Sequence, residues 1–247
     1  FFFFFFLSFF LTLSTSSFGQ EKNEKTLRQR RIIGLIDYIR GDYQEAVQAG
    51  KIIDKEGQSY IFPSSTDCMI CHTNVAGISL GPETQQLNRK LTYQSTGINA
   101  NQLATLENIG MFTAALNDIP DNLARLTSPT DLNASPHDRA RSYLYTNCSQ
   151  CHQQGGPTNV NLDFDINTAD TDMNICNQTP IHQIGGATEI MAPGAAEVSS
   201  MVLRMSCREG VTNCNSGYEM PPLGSNIVDS NGVNVVSSWI DSLPSCP

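Results

Sequence analysis

The run SPHDRARSYLYTNCSQCH, Ser135–His152, joins a helix start to a chemical motif. Ser135 suits an N-cap, Pro136 the first helical position and Asp138 the first turn. Ala140, Tyr143 and Leu144 fall on one face, so the spacing predicts a helix running directly into Cys148. Cys148, Cys151 and His152 then form C-x-x-C-H. A second copy lies 80 residues upstream, in TDCMICHT (Thr66–Thr73), as Cys68, Cys71 and His72. With 8 Cys and 4 His in 247 residues, chance placement yields this pattern on the order of 0.004 times per chain, so two copies are no accident.

C-x-x-C-H is the attachment pattern of a c-type haem. Two thiols add across the porphyrin vinyl groups, and the adjacent His binds iron as proximal ligand. The chain is therefore expected to carry two covalently bound haem c groups, with iron held by His72 and His152. A zinc site is the weaker reading, because zinc ribbons bring their Cys pairs within about 15–20 residues. A redox dithiol would want a βαβ context, which is not evident.

A sixth iron ligand must come from elsewhere. Met220, in GYEMPPLGS, follows His152 by 68 residues. Pro221 and Pro222 impose a stiff extended backbone that can hold a Met side chain at fixed depth. Met220 is therefore the expected ligand of the second haem. For the first, Met111 is the candidate, 39 residues after His72. His137 reads as an exposed first-turn residue and His182 as a loop residue. Met191, Met201 and Met205 read as packing residues, and Met69 faces the wrong way for its own iron. No catalytic residue is assigned.

Net charge is −9 and the pI about 4.8. This argues against nucleic acid and against an anionic membrane surface. It suits redox partner proteins with a basic docking surface. Residues 1–19 read as a secretory signal: eleven of the first thirteen are apolar and no charge precedes Glu21. With Phe at position 1 and no leading positive charge, that signal is expected to begin upstream. The run is short for a membrane span, so membrane contact is limited to an uncleaved N-terminal anchor. The protein is expected in the periplasm or otherwise exported. Cys176, Cys207, Cys214 and Cys246 lie outside the motifs, and up to two disulfides could join them in three pairings. Cys207 with Cys214 would close a short loop, and Cys176 with Cys246 would tie back the chain end.

The remaining pattern divides the chain into a helical segment (20–56), a first haem unit (57–127) and a second (128–247). Residues 32–54 carry an apolar stripe at helical spacing. Residues 55–67 read as loop, with SYIF as a short strand. Asn99–Gly110 reads as a short amphipathic helix, 117–135 as a linker, and SNGVNVVSSWIDSL as a C-terminal helix.

FPSSTDCMICHTNVAGISLGPETQQLN, NQLATLENIG, RARSYLYTNCSQCHQQGGP, NLDF, MAPG, SSMVLRM, EMPPLGSNIVD and GVNVVSSWI, in that order, resemble a bacterial periplasmic di-haem c-type cytochrome module. Such modules are associated with periplasmic dehydrogenases. The resemblance covers roughly residues 57–243. It implies haem attachment at Cys68, Cys71, Cys148 and Cys151, proximal His72 and His152, and distal Met220. Its counterpart of Met111 is often another apolar residue. The segment IIGLIDYIRGDYQEAVQAGKIID instead resembles a helical stretch preceding cytochrome domains linked to iron-permease-like proteins. Together these give a mainly α expectation. It comprises two tandem cytochrome c-like haem units, the second resembling a class I cytochrome c, joined by long irregular loops. The expected function is electron relay between a donor, such as a dehydrogenase, and an acceptor. The alternatives are a di-haem peroxidase-like enzyme or a haem sensor using an open first haem.

Overall fold

The computed structural model describes residues 52–55, 58–61, 63–80, 83–208, 214 and 217–247. They fall within one compact unit, Gly50–Pro247. The expected signal at 1–19 and most of the helical segment at 20–56 lie outside the described residues. The end of the expected 32–54 helix is corrected: β1 (Ile52–Lys55) pairs antiparallel with β2 (Gln58–Ile61), Ile52 opposite Ile61 and Lys55 opposite Gln58.

Within 55–67, β2 covers Ser59–Ile61 of the short strand expected at SYIF, and the loop expected after it is corrected by the start of a helix. Helix α1 (Ser65–Cys71) begins at a capping box. Ser64 Oγ accepts from the Asp67 backbone N–H, and the Asp67 carboxylate accepts from Ser64 N–H and Oγ–H at 2.9 and 2.7 Å. These bonds hold the Asp67 carboxyl below its usual pKa. Helix α2 (Thr84–Leu87) leads into the hairpin β3 (Lys90–Thr92) and β4 (Asn99–Asn101). The helix expected over 99–110 thus starts as strand. Helix α3 (Gln102–Asn108) follows, capped by Asn101 and burying Leu103.

The segment expected as a linker is held on both sides. The buried Asn88 donates through Nδ2 to the carbonyls of Pro120, Leu123 and Ala124 at 2.7, 2.9 and 3.2 Å. Leu126 N–H bonds to Gln85 O, and Thr127 N–H to Ser142 Oγ.

Helix α4 (Pro136–Cys148) has the expected Ser135 cap and Pro136 start, and buries Ala140 and Leu144 completely. Helix α5 (Ser200–Met205) and helix α6 (Ser230–Asp241, capped by Asp229) complete the set. Val235, Val236, Trp239 and Ile240 of α6 pack with Ala140 and Leu144 in the main core. Phe164, Met173, Ile175 and Met191 enter that core from irregular chain. Arg141, only 5% exposed, braces the irregular chain by donating to the carbonyls of Asp165, Ile166 and Thr168. Cys176–Cys246 and Cys207–Cys214 are disulfides, the pairing that closes both loops considered above.

The mainly α expectation of two tandem cytochrome c-like units, one resembling class I, is therefore wrong. Of the six α-helices among the described residues, only α4 and α6, of 13 and 12 residues, exceed seven. Small hairpins, three short 3-10 helices and irregular backbone make up the rest of the described residues. The expectation extrapolated two strong helical patterns to stretches that side-chain bonds to carbonyls hold instead.

Candidate cofactor site

Both C-x-x-C-H motifs adopt the same helical turn. His72 N–H bonds to Cys68 O at 3.0 Å, and His152 N–H to Cys148 O at 2.9 Å. Residues three and four apart on a helix share a face, so each turn gathers its two thiols and imidazole on one side. The first turn follows from the Ser64 cap, the second from the end of α4.

The two turns meet. Cys71 Sγ lies 3.6 Å from Cys151 Sγ, and Cys151 Sγ lies 4.0 Å from the Ile70 carbonyl. Nearby contacts fix this approach. Tyr145 Oη, on the last turn of α4, donates to Glu83 and accepts from Gln85 Nε2. Burial and the Glu83 carboxylate push the Tyr145 hydroxyl up to about 12.

A cavity of about 670 Å³ opens beside Cys148, Cys151 and His152, with Cys71 at its wall. That volume lies within the range of cofactor sites, roughly 300–1,000 Å³. Met201, Met205, Met220 and Leu144 line it with apolar surface. The backbone of Met220 is pinned where its side chain lines this cavity. Its N–H bonds to Arg204 O at 3.0 Å, and its carbonyl accepts from Arg208 Nη1 at 3.2 Å. The 68-residue separation from His152 is thus closed in space.

Burial lowers the pKa of His152, so its imidazole is neutral and has a lone pair to donate. Its ring meets Phe164 edge-on, and its Nδ1 is buried with no hydrogen-bond partner. An unsatisfied buried polar atom costs about 1–3 kcal/mol. Burial pushes the Cys148 and Cys151 thiols up to about 12, helped by the neighbouring Cys151 and Cys71 sulfurs respectively. Both therefore stay protonated at neutral pH.

Arg204 faces the same cavity. Its guanidinium donates to His182 O and Tyr218 O and lies 5.3 Å above the Tyr218 ring. No ion pair found among the described residues includes it. Burial lowers its pKa, so a carboxylate entering the cavity would meet a partly desolvated cation.

The first turn differs. His72 is exposed, and its Nδ1 lies 2.6 Å from the Ile78 carbonyl. Such a bond fixes the tautomer and leaves Nε2 free to ligate. Ile78 holds that carbonyl with φ of +65°, a strained position for a β-branched residue. Met111 is 38% exposed and lines neither this cavity nor the smaller one beside Tyr145. His137 is not simply exposed, because its Nε2 lies 2.7 Å from Asp170. His182 lines the main cavity, a role its loop sequence does not signal.

The residues of the second turn fit a haem on donor chemistry: two thiols, a neutral imidazole, an apolar cavity and a cation for a propionate. A bare metal ion fits less well, since the described residues contain no group of three or more His, Cys, Asp or Glu able to hold one. No helix among the described residues is long and apolar enough to cross a membrane. Comparison with protein-family models, curated protein sequences and solved structures finds no match to this chain.

Proposed function

We propose that the chain is an exported electron-transfer protein carrying two covalently attached haem c groups. The observation that carries this reading is the meeting of two C-x-x-C-H turns with the same backbone bond, Cys71 against Cys151, beside a largely apolar cavity of about 670 Å³ that the second turn lines. Cys68 and Cys71 hold one haem, and Cys148 and Cys151 the other. In each attachment a thiol S–H adds across a vinyl C=C. Sulfur bonds to the carbon next to the ring, hydrogen goes to the terminal carbon, and no electrons are exchanged with another reactant. His72 and His152 are the proximal ligands, and Met220 is the distal ligand of the second haem. Bound haem supplies a one-electron ferric/ferrous couple.

The protein's own part is positional. Burial keeps His152 neutral, the Arg204 and Arg208 contacts place Met220, and Met201, Met205 and Leu144 give the cavity apolar wall. An acidic surface favours encounter with basic redox partners, a dehydrogenase among the candidate donors. Export agrees with the apolar run at 1–19 and with two disulfides, which persist in oxidising compartments.

The test is expression with a cytochrome c maturation system, followed by intact mass and ferric EPR. Two haem increments and a low-spin His/Met signal lost in Met220→Ala are expected. A chain exported through that system without covalent haem would defeat the proposal. A second reading, a haem site open to peroxide or another small ligand, is favoured by one observation: His72 is exposed and Met111 lines neither cavity. A high-spin ferric signal with peroxide turnover would select it.

A further inference from the structure

We infer that the two haems meet edge to edge at Cys71 and Cys151 and behave as one coupled pair. This rests on the covalent di-haem reading. Two thiols 80 residues apart in sequence stand 3.6 Å apart in space. In a thioether the sulfur is two bonds from its own porphyrin ring, or roughly 3 Å. The facing ring edges are therefore within roughly 10 Å of each other, whatever the tilt of either ring.

Independent contacts hold the two turns in place. Glu83 and Gln85, downstream of the first motif, bond to Tyr145, three residues before Cys148. Beyond the motifs, Val75 sits over Gly155, where an added Cβ would lie 3.5 Å from Val75 Cγ2. The left-handed φ of +76° at Gly155 places its backbone there. Val75, Gly77 and Leu80 also share a second cavity with Tyr145, Ser149 and Gln153. The approach of the sulfurs is thus supported before and after each motif.

Haems held at the two turns would supply two one-electron iron couples within reach of each other, with no further reactant and no proton required. The inner thioethers would be those at Cys71 and Cys151. The outer ones, at Cys68 and Cys148, lie one helical turn away. The pair would accept an electron at either haem and share it before the partner protein leaves.

The test uses the matured full chain. Intact mass counts the haems, and Soret circular dichroism reads their coupling. Two haems with a bisignate Soret couplet are expected. Cys68→Ala with Cys71→Ala, which leaves the α4–α6 core untouched, should reduce the couplet to a band of one sign. A second readout needs no variant: reducing one haem should sharpen the ferric EPR signal of the other, because a neighbouring paramagnet is removed. Two haems with no couplet and no change in line width would overturn the juxtaposition and leave the proposed function standing. A couplet that persists in the one-haem variant would also overturn it. Fewer than two haems on the unmutated chain would overturn the juxtaposition together with the two-haem reading.

Discussion

Gly232→Ala probes the crossing of α4 and α6, which builds one wall of the cavity. A Cβ at position 232 would overlap Cζ, Oη and Cε2 of Tyr143. The α6 backbone leaves no room for the methyl, so the Tyr143 ring must swing away. It then loses the 3.1 Å bond from Tyr143 Oη to the Asp229 carboxylate. A hydrogen bond to a charged group contributes about 1.5–3 kcal/mol, and partial exposure places this one near the lower figure. Overpacking adds about 1–3 kcal/mol, while alanine's better helix propensity returns about 1 kcal/mol. The net loss is about 2 kcal/mol, read as a lower urea midpoint or a Tm fall of roughly 4–8 °C in a chain of this size. The same substitution in a Tyr143→Ala background removes the collision, and Gly232→Ala should there be neutral or mildly stabilising. That coupling is the decisive quantity. Equal destabilisation in both backgrounds, or none in the unmutated chain, would refute the close crossing.

Three further outcomes follow from other contacts. Cys176→Ser with Cys246→Ser opens a loop between residues 70 apart, for which loop-closure entropy gives a loss of about 4 kcal/mol; unchanged denaturant midpoints would show that the bridge does not form. The lowered pKa of His152 means that the unfolded chain binds its proton more readily. Its contribution is therefore complete above the unfolded value of about 6.5 and lost as pH falls toward the folded value. Haem-free protein should weaken between pH 7 and pH 5, and His152→Gln should weaken less over that interval; parallel pH curves would count against burial of the imidazole. Ile78→Gly removes a left-handed β-branched residue strained by about 1–3 kcal/mol, against a chain-entropy loss of about 1 kcal/mol. Hydrogen exchange around residues 73–79 should slow slightly, and faster exchange would deny the strained turn.

Helix α4 was legible because its signals are local: a Ser cap, a Pro at the first turn and an acidic residue after it all lie within four positions. Helix α6 was legible because Val233, Val236, Trp239 and Ile240 repeat at helical spacing along most of the element, and Leu243 continues the stripe just past its end. Helix α1 escaped detection. It has seven residues and no apolar stripe, and its capping box closes on Asp67 rather than on the Glu or Gln usual there. Ser64-x-x-Asp67 was the available signal. Asn88 carries no signal at all, since three buried bonds to carbonyls 32–36 residues away depend on tertiary approach. The motif chemistry was readable from spacing, but the meeting of the motifs was not. It is produced by contacts of Glu83 and Gln85 with Tyr145 across about 60 residues, which no local pattern encodes.

The two motif regions also differ in how they are held together. Among the described residues, Leu103 is the one buried hydrophobic before Ala140. Ten of the fourteen large hydrophobics left exposed among the described residues lie between Met69 and Ile119, and five of those, from Met69 to Leu80, surround His72 in sequence. A segment with so little buried apolar surface gains little from the hydrophobic effect, and Asn88 and the Ser64 cap supply directional bonds instead. On the proposed reading, covalent haem would cover the exposed group near Met69 and Ile70. Burial of apolar surface stabilises by about 25 cal/mol per Å², so covering even two such side chains outweighs a typical single hydrogen bond. The first motif would then gain further order from its cofactor beyond what these contacts supply, while the second rests on the α4–α6 core. Loss of Cys68 and Cys71 should therefore expose residues 64–126 to proteolysis while leaving the core around Trp239 protected. Equal protection of both regions in that variant would show that hydrogen bonds alone suffice.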